Sequence, residues 1–260
     1  MTTYISDPFF QTKTTKRKTS QGMVDLPILY FDTSNVLAFF LCDTNKVTRM
    51  LRGTHLKPGL SVGNRTVVAI SFYEYRKTTV GVYNEVGVAI PVLHYTDRAP
   101  LGGITDLYSA TESRKLGFHV LDLPVTTEMA NAAGRELWGY PKFVTDISFQ
   151  LGGGCFHSKV QDPDSGQTIL SIDGRVGLGV NVPPLSPVTY SRRKDTELRT
   201  TVNVRGDVKL SYPWGMKLTV GNSQHIMAKN LRALGLENAR PISLMSTDKF
   251  QSRLNEGIEI

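Results

Sequence analysis

The stretches RTVVAISFYEYR (65–76) and VGVYNEVGVAIPVLHY (80–95) are dense in Val, Ile, Phe and Tyr and alternate in part with polar residues, as half-buried strands do. VTDISFQLGGGCFHSKVQD (144–162) and QTILSIDGRVGLGV (167–180) repeat the pattern across the turn DPDSGQ, and TELRTTVNVRGDVKLSY (196–212) alternates around a Gly-Asp turn at Gly206. Three stretches read as helices. DTNKVTRMLRG has Asp43 as N-cap and Gly53 as stop, and TTEMANAAGRELW starts at Thr126 or Thr127. NSQHIMAKNLRALGL sets Ile226, Leu231 and Leu234 near one face, capped by Asn222 or Ser223 and ended by Gly235. Strands outnumber helices and few are separated by a crossover helix. The expected fold class is therefore mainly β (α+β), a strongly curved antiparallel sheet, β-barrel or cone with a few packed helices.

The 260 residues, 40% hydrophobic, suffice for one large domain with a substantial core. Residues 1–22 read as a basic N-terminal arm, and 23–260 as a single domain. No run approaches the roughly 18 apolar residues of a spanning helix, and the polar, basic N-terminus lacks the apolar core of a signal peptide. Cys42 and Cys155 lie too far apart in sequence to suggest a disulfide framework. A cytoplasmic protein with no membrane contact is expected. The net charge of +7 is dispersed, its only clusters being KTTKRK (13–18) and SRRKD (191–195). Both read as solvated arm or loop rather than a nucleic-acid patch.

Two positions stand out chemically. In WGYPKFV (138–144), Pro141 fixes its own φ and pushes Tyr140 towards an extended conformation, so Lys142 sits where a helix gives way to a strand. Apolar Phe143 and Val144 follow it. Burial disfavours an ammonium, and a neutral lysine amine can attack a ketone to form an imine that acts as an electron sink. A lysine snorkelling to solvent fits the same local sequence. In YNEVGVAIPV, alternation places Tyr83, Glu85 and Gly87 on one strand face, with open space beside Glu85 where Gly87 has no side chain. A carboxylate there can transfer protons if buried, or face water on an edge strand.

GRELWGYPK (134–142) together with YNEVGVAIPV resembles the acetoacetate decarboxylase-like superfamily, and LPILY, AFFLCDTNKVTRML and MKLTVGNSQHIMAKNLRALGL extend the likeness over about residues 24 to 250. The resemblance implies a curved barrel with an apolar interior pocket, and a Schiff-base lyase acting on a ketone or β-keto acid, decarboxylase-like first and aldolase, dehydratase or cyclase second. A non-catalytic binding barrel is the reading from another class. Lys142 matches the Schiff-base lysine and Glu85 the pocket glutamate. Arg135 and Glu136 match an Arg-Glu pair expected to support the lysine turn. Tyr83, Tyr140 and Phe143 are the expected substrate contacts. A homo-oligomer acting on a small keto compound, with no metal and no cofactor, is what the resemblance implies.

The chain also departs from that family. Phe143 stands where the decarboxylases carry a second lysine. No arginine lies between Met23 and Thr48, where a carboxylate-binding arginine is expected near Leu41. A second acidic position falls near Ile70, and Glu74 serves only with a change of register. Arg76, Lys77 and Lys115 remain as possible anchors for an anion. LGGGC (151–155) reads as a turn rather than a nucleotide loop. The five histidines, His55, His94, His119, His157 and His225, show no metal spacing.

Overall fold

The computed structural model describes residues 6–98 and 100–260, with side chains left undescribed at 100–102 and 108. Seven strands close into a ring. Ser243–Leu254, Ile28–Asp43, Arg65–Thr78, Tyr83–His94 and Gly117–Val125 pair in that order, all antiparallel. Gly117–Val125 then runs parallel to Val188–Arg193. That strand turns back into Thr196–Arg205, which meets Ser243–Leu254 at Val202 and Leu254 and completes the barrel. Closure leaves these strands few free edges.

Alternation sorts the two faces. Along Arg65–Thr78, Ala69, Ser71, Tyr73 and Tyr75 point inward, while Val68, Ile70 and Phe72 are fully buried on the outer face. The outer face is covered by a second, four-stranded sheet of Ile147–Gly152, Cys155–Gln161, Thr168–Arg175 and Lys217–Val220. Phe156, Ile169, Leu170 and Ile172 pack from it against the barrel, and this interface is the main core. The LGGGC stretch is the hairpin turn within that sheet, with Gly153 and Gly154 at positive φ.

Among the described residues there are three α-helices. α1 (Thr44–Met50) starts at Asp43, whose carboxylate accepts from the amides of Asn45 and Lys46 at 2.8 and 3.1 Å. α2 (Glu128–Trp138) starts at Thr127 and crosses from Gly117–Val125 to the parallel strand Lys142–Val144, a βαβ unit that the antiparallel expectation did not include. α3 (Ile226–Leu234) ends at Gly235 as expected but is capped by His225, whose Nδ1 accepts from Met227 N at 3.2 Å. Ser223 caps one step earlier, accepting from His225 N at 2.9 Å. Ile226 is exposed, and Met227, Ala228, Leu231 and Leu234 form the buried face.

The basic stretch at 13–18 is not a free arm along its whole length. Thr15–Thr19 pairs with Gly22–Leu26 as a hairpin, and Arg17 bonds Glu256 near the C-terminus, Nε to Oε1 at 2.6 Å. With α2, the hairpin builds a second apolar cluster at one end of the barrel, around Trp138 and Tyr140.

α3 docks on the barrel through one buried polar contact. Asp122 accepts from Asn230 Nδ2 at 3.2 and 3.0 Å and is otherwise enclosed, so burial pushes its carboxyl up to about 7. The folded state therefore holds this proton more tightly than the unfolded chain, and stability falls as pH rises from 3.8 to about 7. Asp122→Asn is expected to remove that component. In urea titrations across the same pH range, the variant's stability should gain steadily on the wild type as pH rises.

Candidate active site

The position of Lys142 is set by how α2 ends. Gly139 adopts the left-handed conformation (φ 69°), its amide reaching Arg135 O at 3.0 Å while Tyr140 N reaches Gly134 O at 3.1 Å. A Cβ at Gly139 would lie 2.1 Å from the Arg192 carbonyl oxygen, so the turn also requires a bare backbone. Pro141 O then accepts from Leu123 N at 3.2 Å and lays Lys142 beside Leu123 in parallel register. Arg135 Nη1 holds the Lys142 carbonyl at 2.8 Å. The lysine stem runs across Gly134, where a Cβ would sit 2.3 Å from Cε and 2.4 Å from Cδ.

This path delivers the amine to Glu85. Lys142 Nζ donates a short hydrogen bond to Glu85 Oε2, with both residues 7% exposed. Tyr75 OH donates to the other carboxylate oxygen at 3.3 Å. The Tyr83 ring lies 5.8 Å from Nζ, and the Tyr83 hydroxyl donates to that of Tyr30 at 3.3 Å. Tyr140 OH shares a 2.7 Å bond with Thr189 Oγ1. Burial pushes the phenols of Tyr73 and Tyr140 up to about 12, and those of Tyr30, Tyr75 and Tyr83 also rise through burial and the nearby Glu85 charge. Five neutral hydroxyls thus surround one ion pair.

The pair opens into a cavity of about 170 Å³ inside the barrel. Glu85, Lys142, Tyr75, Tyr140 and Leu123 line it together, all buried. Leu37, Met245, Pro184, Leu185, Pro187 and Val202 form a half-buried apolar part of the wall. An enclosed apolar chamber with a few convergent polar groups at one end is the usual form of a small-molecule site. Among the described residues, no group of three or more His, Cys, Asp or Glu could hold a metal ion.

Several expected residues sit elsewhere. Phe143 does not face the cavity. Strand alternation turns it outward, onto the His225 ring with 4.3 Å between ring centroids. Tyr83 lies behind the lysine, outside the cavity wall, whereas Tyr140 is part of that wall. Glu136 does not brace the lysine turn: it accepts from Ser20 N at 3.0 Å and holds the N-terminal hairpin. Gly87 lines the cavity but packs closely, since a Cβ there would come within 2.8 Å of Ser71 Oγ. Register puts Glu74 outside the barrel, bonded to Arg76 at 2.8 Å, and among the described residues no second acid lines the cavity beside Glu85.

Tyr30, Tyr73 and Tyr75 were not singled out by sequence, although Tyr73 and Tyr75 alternate in step with Ser71. Tyr73 and Tyr75 stack at 5.2 Å with 6° between their planes, a wall that only the closed register makes visible.

A family model described as acetoacetate decarboxylase matches residues 10–212. Among solved structures, the chain is similar to an acetoacetate decarboxylase from Legionella pneumophila, with a TM-score of 0.64 and 13% identity over 98% of this chain and 92% of that one. It is also similar to the enduracididine biosynthesis enzyme MppR in complex with the condensation product of pyruvate and imidazole 4-carboxaldehyde (TM-score 0.63, 13% identity, 91% and 90% covered). An acetoacetate decarboxylase-like enzyme from Sphingomonas wittichii RW1 is a third such structure (TM-score 0.62, 14% identity, 91% and 94% covered). These likenesses establish the fold. No curated protein matches the sequence.

The close passage of the lysine stem over α2 yields a direct test. Gly134→Ala is expected to keep the fold at a loss of about 1–3 kcal/mol, as overpacking typically costs, while pushing Nζ off Glu85. A urea titration measures the first effect and a crystal structure of the variant the second. An intact Lys142–Glu85 contact at undiminished stability would show that the helix, not the lysine, yields.

Proposed function

Because the chain belongs to the acetoacetate decarboxylase family, we propose that it is a Schiff-base lyase in which Lys142 condenses with a substrate ketone and Glu85 moves the protons. The observation that carries this reading is the isolated ion pair in the wall of a largely apolar cavity. An amine can attack only after losing a proton, and Glu85 is the group in contact to receive it.

The steps balance around that pair. The ammonium proton passes to Glu85, and the neutral amine adds to the carbonyl carbon. Glu85 returns the proton to the carbinolamine hydroxyl, which leaves as water. The product is a protonated imine facing a carboxylate. The bond one carbon beyond the imine carbon then breaks, and its electron pair flows into the iminium to give an enamine. The departing fragment is carbon dioxide from a β-keto acid, or an aldehyde from a β-hydroxy ketone whose hydroxyl proton goes to Glu85. The enamine is reprotonated at carbon, and water releases the ketone and restores the amine. Tyr75, bonded to the second Glu85 oxygen, orients the carboxylate through the cycle.

One observation favours the aldol type over decarboxylation. Lys142 is the only cation among the described residues lining the cavity, and it is already paired. The apolar chamber supports the chemistry because it withholds water from the imine and the enamine.

Incubation with carbonyl compounds and sodium borohydride, read by intact mass and peptide mapping, should give an adduct on Lys142. Lys142→Ala should give none. Glu85→Gln should slow adduct formation by about 10²–10⁴, the usual range for a proton-transfer group. Absence of an adduct with every carbonyl tried would leave a binding barrel rather than an enzyme.

A further inference from the structure

Among the described residues lining the cavity there is one positive and one negative side chain, and each is the other's partner. The remaining wall is aliphatic, aromatic or neutral polar. The cations that might have met an anionic substrate are engaged outside it. Arg76 holds Asp32 at 2.6 Å and Glu74 at 2.8 Å on the barrel exterior. Lys115 sits 3.8 Å from Asp97, and Lys77 lies over the Phe31 ring at 5.9 Å. None of the three lines the cavity.

A substrate carboxylate entering this chamber loses its hydration, meets no free counter-charge, and approaches the Glu85 carboxylate. Unpaired charge is strongly disfavoured in such surroundings. Asn35 spends its amide on Phe72 O at 3.1 Å, and Thr189 is paired with Tyr140. Apolar surface, by contrast, extends from Leu123 beside the pair to the half-buried rim of Leu37, Met245, Pro184 and Leu185.

We infer that the site takes an uncharged β-hydroxy ketone whose carbonyl leads to Lys142 and whose alkyl or aryl body fills the barrel towards that rim. Small keto acids are rejected. This rests on the reading of Lys142 as an imine-forming amine and narrows it to carbon–carbon cleavage of aldol type, since such a substrate has no carboxylate to lose. In a β-hydroxy ketone the hydroxyl proton goes to Glu85, the carbon–carbon bond breaks towards the iminium, and an aldehyde departs.

The test is a borohydride-trapping panel on the full-length protein. It compares 2-butanone, 2-hexanone, 2-nonanone and 4-hydroxy-4-phenyl-2-butanone with pyruvate and acetoacetate. Half-maximal adduct on Lys142 should need at least about tenfold less of the apolar ketones than of either acid, a discrimination that pocket contacts readily supply. It should improve from four to nine carbons, and the hydroxy ketone should release benzaldehyde. Leu37→Arg, which places a cation in the wall, should shift trapping towards the acids, with Met245→Arg as the alternative if that variant does not fold. Acids trapping as well as the apolar ketones would overturn the inference and leave the imine reading intact. No adduct with any of the six compounds would overturn the imine reading, and the inference with it.

Discussion

Everything in this barrel that bears on chemistry depends on two opposite charges buried side by side. In an apolar interior neither Lys142 nor Glu85 is tolerable alone, and removing one partner of such a pair typically costs about 3–5 kcal/mol. Replacing both by apolar side chains is often neutral or stabilising. The pair is therefore a poor device for holding a barrel together and a good one for keeping an exchangeable proton in a dry place. The surrounding structure serves that arrangement. Closure of the seven strands surrounds the pair, and Tyr75 takes the carboxylate oxygen that Lys142 leaves free.

Much of this was legible in the sequence, for reasons that can be named. Period-two alternation over Tyr83–His94 puts Glu85 and Gly87 on one face, and the structure turns that face into the cavity. Pro141, with Tyr140 pushed extended before it, marks where a helix must stop, and Lys142 follows at once. The mostly β architecture follows from the strand-like runs.

What stayed hidden depends on register and closure, which no local pattern encodes. A lysine pointing inward at the start of a strand obliges the next residue to point outward, so Phe143 meets His225 instead of the cavity. Glu74 and Tyr75 are neighbours in sequence, yet pairing with Ile28–Asp43 and Tyr83–His94 sends one outside and the other onto Glu85. The N-terminal hairpin was equally invisible, because basic Arg17 finds its partner in Glu256 at the far end of the chain.

The last long strand of the barrel has a different consequence. The lysine, its acid, the Arg135 support and the Gly134 passage all fall within residues 10–212, the segment that matches the family model. Ser243–Leu254 lies beyond that segment, yet it contributes Met245, Phe250, Ser252 and Leu254 to the cavity wall. Its place is fixed by backbone pairing with strands on both sides, which is indifferent to the side chains it presents. Part of the chamber wall is thus written apart from the ion pair, while Leu37, Pro184, Leu185 and Val202 of the same wall lie within the family segment. A lineage can recut that part of the chamber by exchanging a handful of residues near the C-terminus, and the Lys142–Glu85 pair faces a new interior without itself being rebuilt.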